Sequence, residues 1–297
     1  MTEKNFIPSR SKRLFYKGLF RLFPNLYWQS YKQKSLDLGL DRLYLILSFD
    51  CDTSEDIVAA EQIHNWMLER GLKATYAVPG KQLLEGKEAY RQIADSGGDF
   101  INHGARPHTE WRDSRYYSIT FYNQLPVEEV IDDIRRGHEM IGEVIGQPPV
   151  GFRAPHFGHF QKPSQLALLY SVLGDLDYQY ATTTVPWFAR EFGPARHTDD
   201  MWEFPLSGSY KSPLRILDSW GYLESYGQVR VSERYSQLFI ATIDALVSTD
   251  IPGILNMYVD PAHVYKNEGF FNAIEHTVAK NVPMLQYADL LELLKQQ

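Results

Sequence analysis

The sequence is short of several features, and each shortage excludes a class of protein. Its 297 residues include a single cysteine, Cys51, so neither an intrachain disulfide nor a zinc finger built from cysteines can form. No apolar run approaches the roughly 20 residues that span a bilayer. No linker rich in glycine, proline or serine and no internal repeat divides the chain. Hydrophobic residues make up 44% and charged residues 23%, which is typical of a globular protein.

Basic residues are scarce outside the first 36 positions. Residues 1–36 carry eight basic side chains and one acidic side chain, whereas the remainder carries 22 basic and 36 acidic. Nucleic-acid-binding proteins present a basic surface, so we expect no nucleic-acid partner for this acidic body. The basic segment at the start of the chain requires a separate explanation.

Aromatic residues are interleaved with the basic side chains of residues 1–36, and a helix is predicted over 13–23, limited by Pro24. Two interpretations stay open. The segment is either an arm packed on its own domain or a peripheral contact with an anionic membrane surface. Lys17 and Arg21 interrupt the apolar stretch and no small-residue cleavage site follows, which argues against a secretory signal peptide. We therefore expect a cytoplasmic protein, either free or peripheral at the inner membrane face.

Residues 37–297 alternate apolar strand-like runs with helical patterns. The near-continuous apolar run 43–49 predicts a buried strand, and apolar residues at helical spacing predict a helix over 55–70. About seven such strand–helix units predict an α/β fold, a distorted (β/α)7 barrel of the TIM-like type. The irregular stretch 184–230 predicts long loops over the barrel mouth.

Polar clusters follow the ends of four predicted strands, where barrel enzymes carry their functional residues. Asp50 and Asp52 are two residues apart, so on an extended backbone they share a face. One of them could bind a metal while the other accepts a proton. A helix-capping role is the structural alternative for Asp52. His103 and His108 follow the third strand and are candidate ligands of zinc or a similar ion.

Two later strands end in the other clusters. Arg153 could hold a carboxylate by a bidentate contact, with a solvated surface charge as the alternative. Asp260 and His263 follow the apolar strand 254–259 and are candidates for general acid–base catalysis. Further candidates for the substrate pocket are His156, Asp260, Trp187, Trp202, Tyr178 and Tyr180. A buried core is the structural alternative for the aromatic rings.

These clusters, in this order, resemble the NodB-homology polysaccharide deacetylases of carbohydrate esterase family 4. The resemblance covers roughly residues 43–295. Residues 48–52 are similar to the family's first motif, in its Asp-x-Asp form, and residues 74–80 to its second strand. Asn102 and His103 are similar to the start of its histidine motif, and residues 151–155 to its Arg-x-Pro motif. The resemblance implies a distorted barrel that removes acetyl groups from sugars with the help of a metal.

The resemblance also implies a role for each matching residue. Asp50 would be the catalytic base and Arg153 would position it. His263, in the last cluster, would be the general acid. The ligands of a divalent ion, zinc in the first instance and otherwise cobalt or manganese, would be Asp52, His103 and His108. The implied enzyme is a hydrolase of carbon–nitrogen bonds other than peptide bonds, and its implied substrate is a polysaccharide or a lipid-linked glycan precursor.

Two departures from the family pattern leave alternatives open. The family spaces its histidines as His-x-x-x-His, whereas here Pro107 intervenes and the next histidine is His108, so either the loop carries one extra residue or the second ligand is lost. The family's last motif reads His-Pro, whereas this chain has Asp260 before Pro261. The rival functions are a metal-independent hydrolase of cyclic amides and a barrel that binds glycans without turnover.

Overall fold

The computed structural model describes residues 6–113, 115–198, 201–225 and 228–296. The strands, in chain order, are β1 (Leu43–Asp50), β2 (Thr75–Val78), β3 (Asp99–Asn102), β4 (Thr109–Arg112), β5 (Arg115–Ser118), β6 (Gly151–Phe152), β7 (Tyr180–Ala181), β8 (Arg196–Thr198), β9 (Met201–Glu203), β10 (Gly208–Ser209), β11 (Ser212–Ile216), β12 (Leu223–Ser225), β13 (Gln228–Val231), β14 (Gly253–Val259) and β15 (Met284–Leu285). The α-helices are α1 (Arg10–Leu22), α2 (Pro24–Asp37), α3 (Ser54–Leu68), α4 (Gly80–Glu85), α5 (Lys87–Asp95), α6 (Val127–Ile145), α7 (Pro163–Gly174), α8 (Pro186–Phe192), α9 (Glu233–Ser248), α10 (Pro261–Val264), α11 (Glu268–Ala279) and α12 (Tyr287–Lys295).

A curled nine-stranded sheet forms the body of the molecule. Its hydrogen-bonded order is β14-β1-β2-β3-β6-β7-β9-β8, and β15 pairs with the first half of β1. All neighbours are parallel except β8, which is antiparallel to β9. Between β9 and β14 the backbone N–H of Ser207 donates to the carbonyl of Asn256 at 2.8 Å. The predicted α/β fold with a distorted barrel is confirmed.

The central strand β1 explains why the polar clusters converge. All eight of its residues are buried, because helices and loops cover both faces of a parallel sheet. The three strands that pair with it, β14, β15 and β2, run in the same direction. The carboxyl ends of these strands therefore lie at one edge of the sheet, and Asp50 closes β1 at that edge.

The predicted helix over 55–70 is confirmed as α3, and the predicted helix over 13–23 overlaps α1. Two short helices, α4 and α5, meet at Gly86. A Cβ at this glycine would lie 2.8 Å from the Ile57 side chain of α3, so close packing requires glycine at this position. Residues 184–230, predicted as loops, contain α8 and six short strands in their described part. Strands of two to five residues are too short to show an alternating pattern.

The first two helices pack on the barrel. On α2, the Tyr31 hydroxyl donates to the carbonyl of Ile254 at 2.6 Å and the Trp28 indole N–H donates to that of Tyr210 at 2.9 Å. Phe20 of α1 is also buried. Several aromatic residues of the basic segment therefore belong to the core. Within the described ranges, no helix is long and apolar enough to cross a membrane.

Candidate active site

The carboxyl ends of β1, β3 and β6 meet around a cavity of about 290 Å³. Asp50 ends β1, Asn102 ends β3 and Arg153 directly follows β6. The cavity is lined by Asp50, Asp52, His103, Thr109, Ser118, Phe121, His156, Phe157, His159, Ile216, Asp218, Trp220 and Tyr258. The first three sequence clusters thus contribute to one site.

Three buried side chains form a group that could hold a metal ion. One ligand atom from each of Asp52, His103 and His108 lies within 4.8 Å of the other two. Asp52 Oδ1 is 3.5 Å from His103 Nε2 and 3.5 Å from His108 Nδ1. Two ligands that each bind zinc at about 2.1 Å are about 3.4 Å apart in a tetrahedral site. The spacing therefore suits a zinc-sized ion.

The hydrogen bonding and the protonation of these side chains are also compatible with a bound cation. Within the described ranges, Asp52 Oδ1 and both ring nitrogens of His108 are buried without a hydrogen-bond partner. Burial, with His108 nearby, lowers the pKa of His103 to about 4, and burial lowers that of His108 well below its usual value. Both rings are therefore neutral, as metal ligation requires. His103 Nδ1 donates to the carbonyl of Arg153 at 2.7 Å, which leaves its Nε2 with a free lone pair.

The loop between the two histidines accommodates the extra residue of the motif. Gly104 has a φ of +82°, and a Cβ there would lie 2.4 Å from Asp133 Oδ2, so glycine is required. Asp133 of α6 accepts a hydrogen bond from the backbone N–H of Arg106 at 2.8 Å. The carbonyl of Pro107 accepts another from Thr120 Oγ1 at 2.7 Å. These contacts fix the loop so that His108 still faces Asp52.

Asp50 and Arg153 form a buried ion pair beside the group. Arg153 is fully buried, and its guanidinium donates to Asp50 Oδ1, to Ser48 Oγ at 2.8 Å and to the Tyr287 hydroxyl at 3.1 Å. Burial raises the pKa of Asp50, and the charge of Arg153 opposes that rise. The other oxygen, Oδ2, is 3.8 Å from His103 Nε2. Asp50 therefore presents one oxygen to Arg153 and the other toward the metal-ligand group.

The last cluster forms a separate hydrogen-bonded chain. Ser219 Oγ lies 2.9 Å from Asp260 Oδ2 and 2.8 Å from His263 Nδ1, and it accepts the Asp260 backbone N–H at 3.1 Å. All three residues are buried. His263 lines a second, larger cavity, while the ring of Trp220, which lines the first, packs edge-on against it at 4.8 Å. Ser219 was not predicted as a site residue, because it lies in an irregular stretch of the chain.

The pocket candidates divide into two groups. His156 lines the first cavity, where its ring stacks on Phe121 at 4.3 Å. Trp187 is buried on α8 and packs against Tyr16 of α1, and Trp202 on β9 packs against His197. Neither tryptophan lines the cavity at the metal-ligand group. Tyr178 and Tyr180 are core residues. Asp218 and Trp220 line the cavity at the metal-ligand group, but the sequence analysis did not predict them.

The comparison with known families agrees with this geometry. Residues 41–170, which carry the metal-ligand group, Asp50 and Arg153, match the polysaccharide deacetylase family. The resemblance read from the motifs is therefore confirmed. The family's members are hydrolases of carbon–nitrogen bonds other than peptide bonds, as predicted. No curated protein sequence matches the chain.

Solved structures share the fold at low sequence identity. A protein described as a polysaccharide deacetylase from Mycobacterium smegmatis is 17% identical, with 86% of this chain and 91% of that chain covered and a TM-score of 0.65. A pseudoenzyme of carbohydrate esterase family 4 from Bacillus anthracis is 13% identical, with 84% and 66% covered and a TM-score of 0.53. The Puue allantoinase is 10% identical, with 84% and 88% covered and a TM-score of 0.57.

Proposed function

We propose that the protein is a metal-dependent hydrolase that removes an acyl group, in the first instance N-acetyl, from a sugar, because residues 41–170 match the polysaccharide deacetylase family. The observation that carries this proposal is the buried group of Asp52, His103 and His108, which stands beside an aspartate held by a buried arginine. Ligand atoms without partners and a neighbouring carboxylate are what hydrolysis of an amide by an activated water requires.

Asp52, His103 and His108 would hold the ion, zinc in the first instance. A bound divalent ion polarises the acyl carbonyl and acidifies water. Asp50 Oδ2 takes the proton of the attacking water, because Asp50 Oδ1 is held by Arg153 and the free oxygen faces the same cavity. Arg153 thereby fixes the direction in which the base points. Its contacts with Ser48 and Tyr287 keep the guanidinium in place.

The leaving amine needs a proton, and the chain Asp260–Ser219–His263 supplies it in this proposal. Burial and neighbouring carboxylates raise the pKa of Asp260 well above its usual range, which favours its protonated form. Ser219 Oγ donates to an ionised Asp260; when Asp260 is protonated the direction reverses, so that its carboxyl would donate to Ser219 Oγ at 2.9 Å and the serine hydroxyl to His263 Nδ1 at 2.8 Å. Burial lowers the pKa of His263 to about 3, so its ring is neutral, and this network leaves the proton on Nε2. When Nε2 gives that proton to the leaving amine, Nδ1 would take the hydroxyl proton of Ser219 and Ser219 would take the carboxyl proton of Asp260, so that the imidazole stays neutral and Asp260 ends as a carboxylate. Loss of acid catalysis at Asp260 is what the glycan-binding alternative would require.

Acetate release distinguishes the candidate functions. We expect the purified protein to release acetate from N-acetylglucosamine oligomers, to lose that activity after chelation, and to regain it with zinc, cobalt or manganese. Ring opening of a cyclic ureide that survives chelation would instead favour the metal-independent hydrolase. Glycan binding without acetate release would favour the barrel without turnover, and a pseudoenzyme of carbohydrate esterase family 4 does share the fold.

We further propose that α1 and α2 contact the anionic inner face of a membrane, which would suit a lipid-linked glycan substrate. Five large apolar side chains of α1, α2 and the residue between them are more than half exposed: Leu14, Phe15, Leu22, Phe23 and Leu26. Helix α1 carries five basic residues and no acidic one. Apolar anchors next to basic groups bind the headgroup layer of anionic bilayers.

The exposed apolar face of α1 can be tested with a charge-matched pair of variants. We expect Leu22→Glu to weaken binding to phosphatidylserine vesicles roughly tenfold or more, because it places a charge where an apolar side chain enters the headgroup layer. Val278→Glu adds the same charge at an exposed position of α11 and should bind like wild type. Equal binding by both variants in a flotation assay, or no wild-type binding at low salt, would refute the membrane contact.

A further inference from the structure

A third cavity, of about 420 Å³, is formed by α1, α2 and α8. Its volume falls in the roughly 300–1,000 Å³ range of small-molecule sites. Tyr31 lines it and is hydrogen-bonded to Ile254, near the start of β14, whereas the metal-ligand group follows the carboxyl ends of the strands. The cavity is therefore separate from the candidate active site, and the proposed hydrolysis gives it no role.

Two half-buried cationic side chains line this third cavity, Lys34 of α2 and Arg190 of α8. Lys34 Nζ donates to the backbone carbonyl of Arg190 at 2.6 Å, and the Arg190 guanidinium lies 4.0 Å from the centre of the Tyr16 ring. Among the described residues of the lining, Glu191 is the only acidic one, and its carboxylate is 3.7 Å from one guanidinium nitrogen of Arg190. The lining therefore carries a net positive charge, which attracts an anion.

A buried tyrosine adds a hydrogen-bond donor to this lining. Tyr27 is 4% exposed, and its hydroxyl makes no hydrogen bond with any residue that the structure describes. Burial, with Tyr31 nearby, raises the pKa of Tyr27 well above its usual value, so the phenol keeps its proton. The Tyr27 ring is fixed by stacking on Tyr31 at 6.0 Å and by edge-on contact with Phe20 at 5.6 Å. The third cavity thus offers a buried O–H donor without a partner in the described chain.

These groups together suit a phosphate. A guanidinium, an ammonium and a phenol present several donors, and phosphate oxygens accept charge-assisted hydrogen bonds from such donors. Burial lowers the pKa of Lys34, which means that its ammonium is partly deprived of water. A phosphate beside Lys34 would offset that loss of hydration.

The apolar surroundings of the third cavity favour a lipid as the source of the phosphate. Leu26 lines the cavity and is 56% exposed, and the preceding Leu22 and Phe23 are also more than half exposed. A soluble phosphate gains nothing from these side chains. The acyl chains of a lipid, whose headgroup phosphate lies in the cavity, would cover them.

We propose that the third cavity binds the phosphate of an anionic lipid headgroup, held by Lys34, Arg190 and the hydroxyl of Tyr27. The inference rests on the proposed membrane contact of α1 and α2. It deepens that contact by adding a defined site for one lipid molecule to a general attraction between basic residues and an anionic surface. A site of this kind binds a single lipid even where no membrane is present.

Titration calorimetry of the full-length protein with dihexanoyl phosphatidylglycerol, kept below its critical micelle concentration, tests the site without a membrane. The phosphodiester is the only anionic group of this lipid. We expect Tyr27→Phe, which changes no charge, and Arg190→Gln each to weaken binding roughly tenfold, since each removes a hydrogen bond to a charged group. Arg13→Gln removes the same charge from an exposed position of α1 outside the cavity and should bind like wild type.

Inorganic phosphate, titrated in the same way, distinguishes the two sources of the phosphate group. We expect it to bind at least about tenfold more weakly than the lipid, because it lacks the acyl chains that cover the apolar mouth of the cavity. Inorganic phosphate that binds as tightly as the lipid would overturn the lipid assignment.

Flotation with phosphatidylglycerol vesicles, run in parallel, separates this site from the membrane contact as a whole. Vesicle binding by the wild type without binding of the monomeric lipid would overturn the headgroup site and keep the membrane contact. Equal weakening of lipid binding by Arg13→Gln and Arg190→Gln would also overturn the site, because charge alone would then explain it. Binding of the monomeric lipid that is weakened only by Tyr27→Phe and Arg190→Gln, without vesicle binding, would support the site and refute the membrane contact.

Discussion

Replacing Asp50 with asparagine should reduce acyl release by about 10³-fold or more, because the variant removes the only acceptor that the proposal assigns to the proton of the attacking water. The amide keeps the volume of the carboxylate and can still accept a hydrogen bond from Arg153, which donates to Asp50 Oδ1 in the native protein. Asp50 is not a member of the metal-ligand group, so the ion should stay bound.

Acetate release and metal content, measured on the same preparation, check this prediction. Asp95→Asn makes the same chemical change at an exposed position near the end of α5 and should leave both quantities unchanged. Full activity in Asp50→Asn would show that another group accepts the proton. Loss of the metal together with activity would instead make Asp50 a ligand.

Replacing His108 with alanine should lower the affinity for zinc by at least about 100-fold, since loss of even an outer-shell partner of a ligand costs 10–100-fold. His108 is fully buried, and among the residues that the structure describes neither of its ring nitrogens has a hydrogen-bond partner. When the metal concentration is limiting, the rate of hydrolysis should fall together with the affinity for zinc.

Competition of the protein with a zinc-sensitive dye gives the affinity. His159→Ala removes an exposed histidine from the same cavity and should retain the ion. Because removal of a buried ring can also destabilise the fold, Asp52→Asn provides a second variant that keeps the side-chain volume. Undiminished affinity in both His108→Ala and Asp52→Asn would exclude the proposed ligand set.

Residues at strand ends could be predicted from the sequence, because the parallel sheet places them at one edge. Asp50, Asp52, His103 and Arg153 follow strands whose apolar runs are evident, and the structure brings them together. The shifted position of His108 was ambiguous. Whether His108 can face Asp52 depends on the hydrogen bonds that Asp133 accepts from the loop, and Asp133 lies 25 residues further along the chain on α6.

Other parts of the site had no sequence signal of their own. Ser219 acquires its contacts from a turn between short strands, where neither helical nor alternating periodicity applies. Trp187 and Trp202 belong to the same irregular stretch. Trp187 is buried and Trp202 is half-buried, and both lie away from the site. Composition alone does not separate rings that pack in a core from rings such as Trp111 that line a cavity.

Elemental analysis of the untagged wild-type protein shows whether it carries the divalent ion that a metal-dependent hydrolase requires. The geometry of Asp52, His103 and His108 predicts about one zinc or similar divalent ion per chain, lost in the His108→Ala and Asp52→Asn variants. A protein that carries no ion, and takes up none after incubation with zinc, cobalt or manganese, would contradict the account. The cyclic-amide and glycan-binding alternatives would then remain.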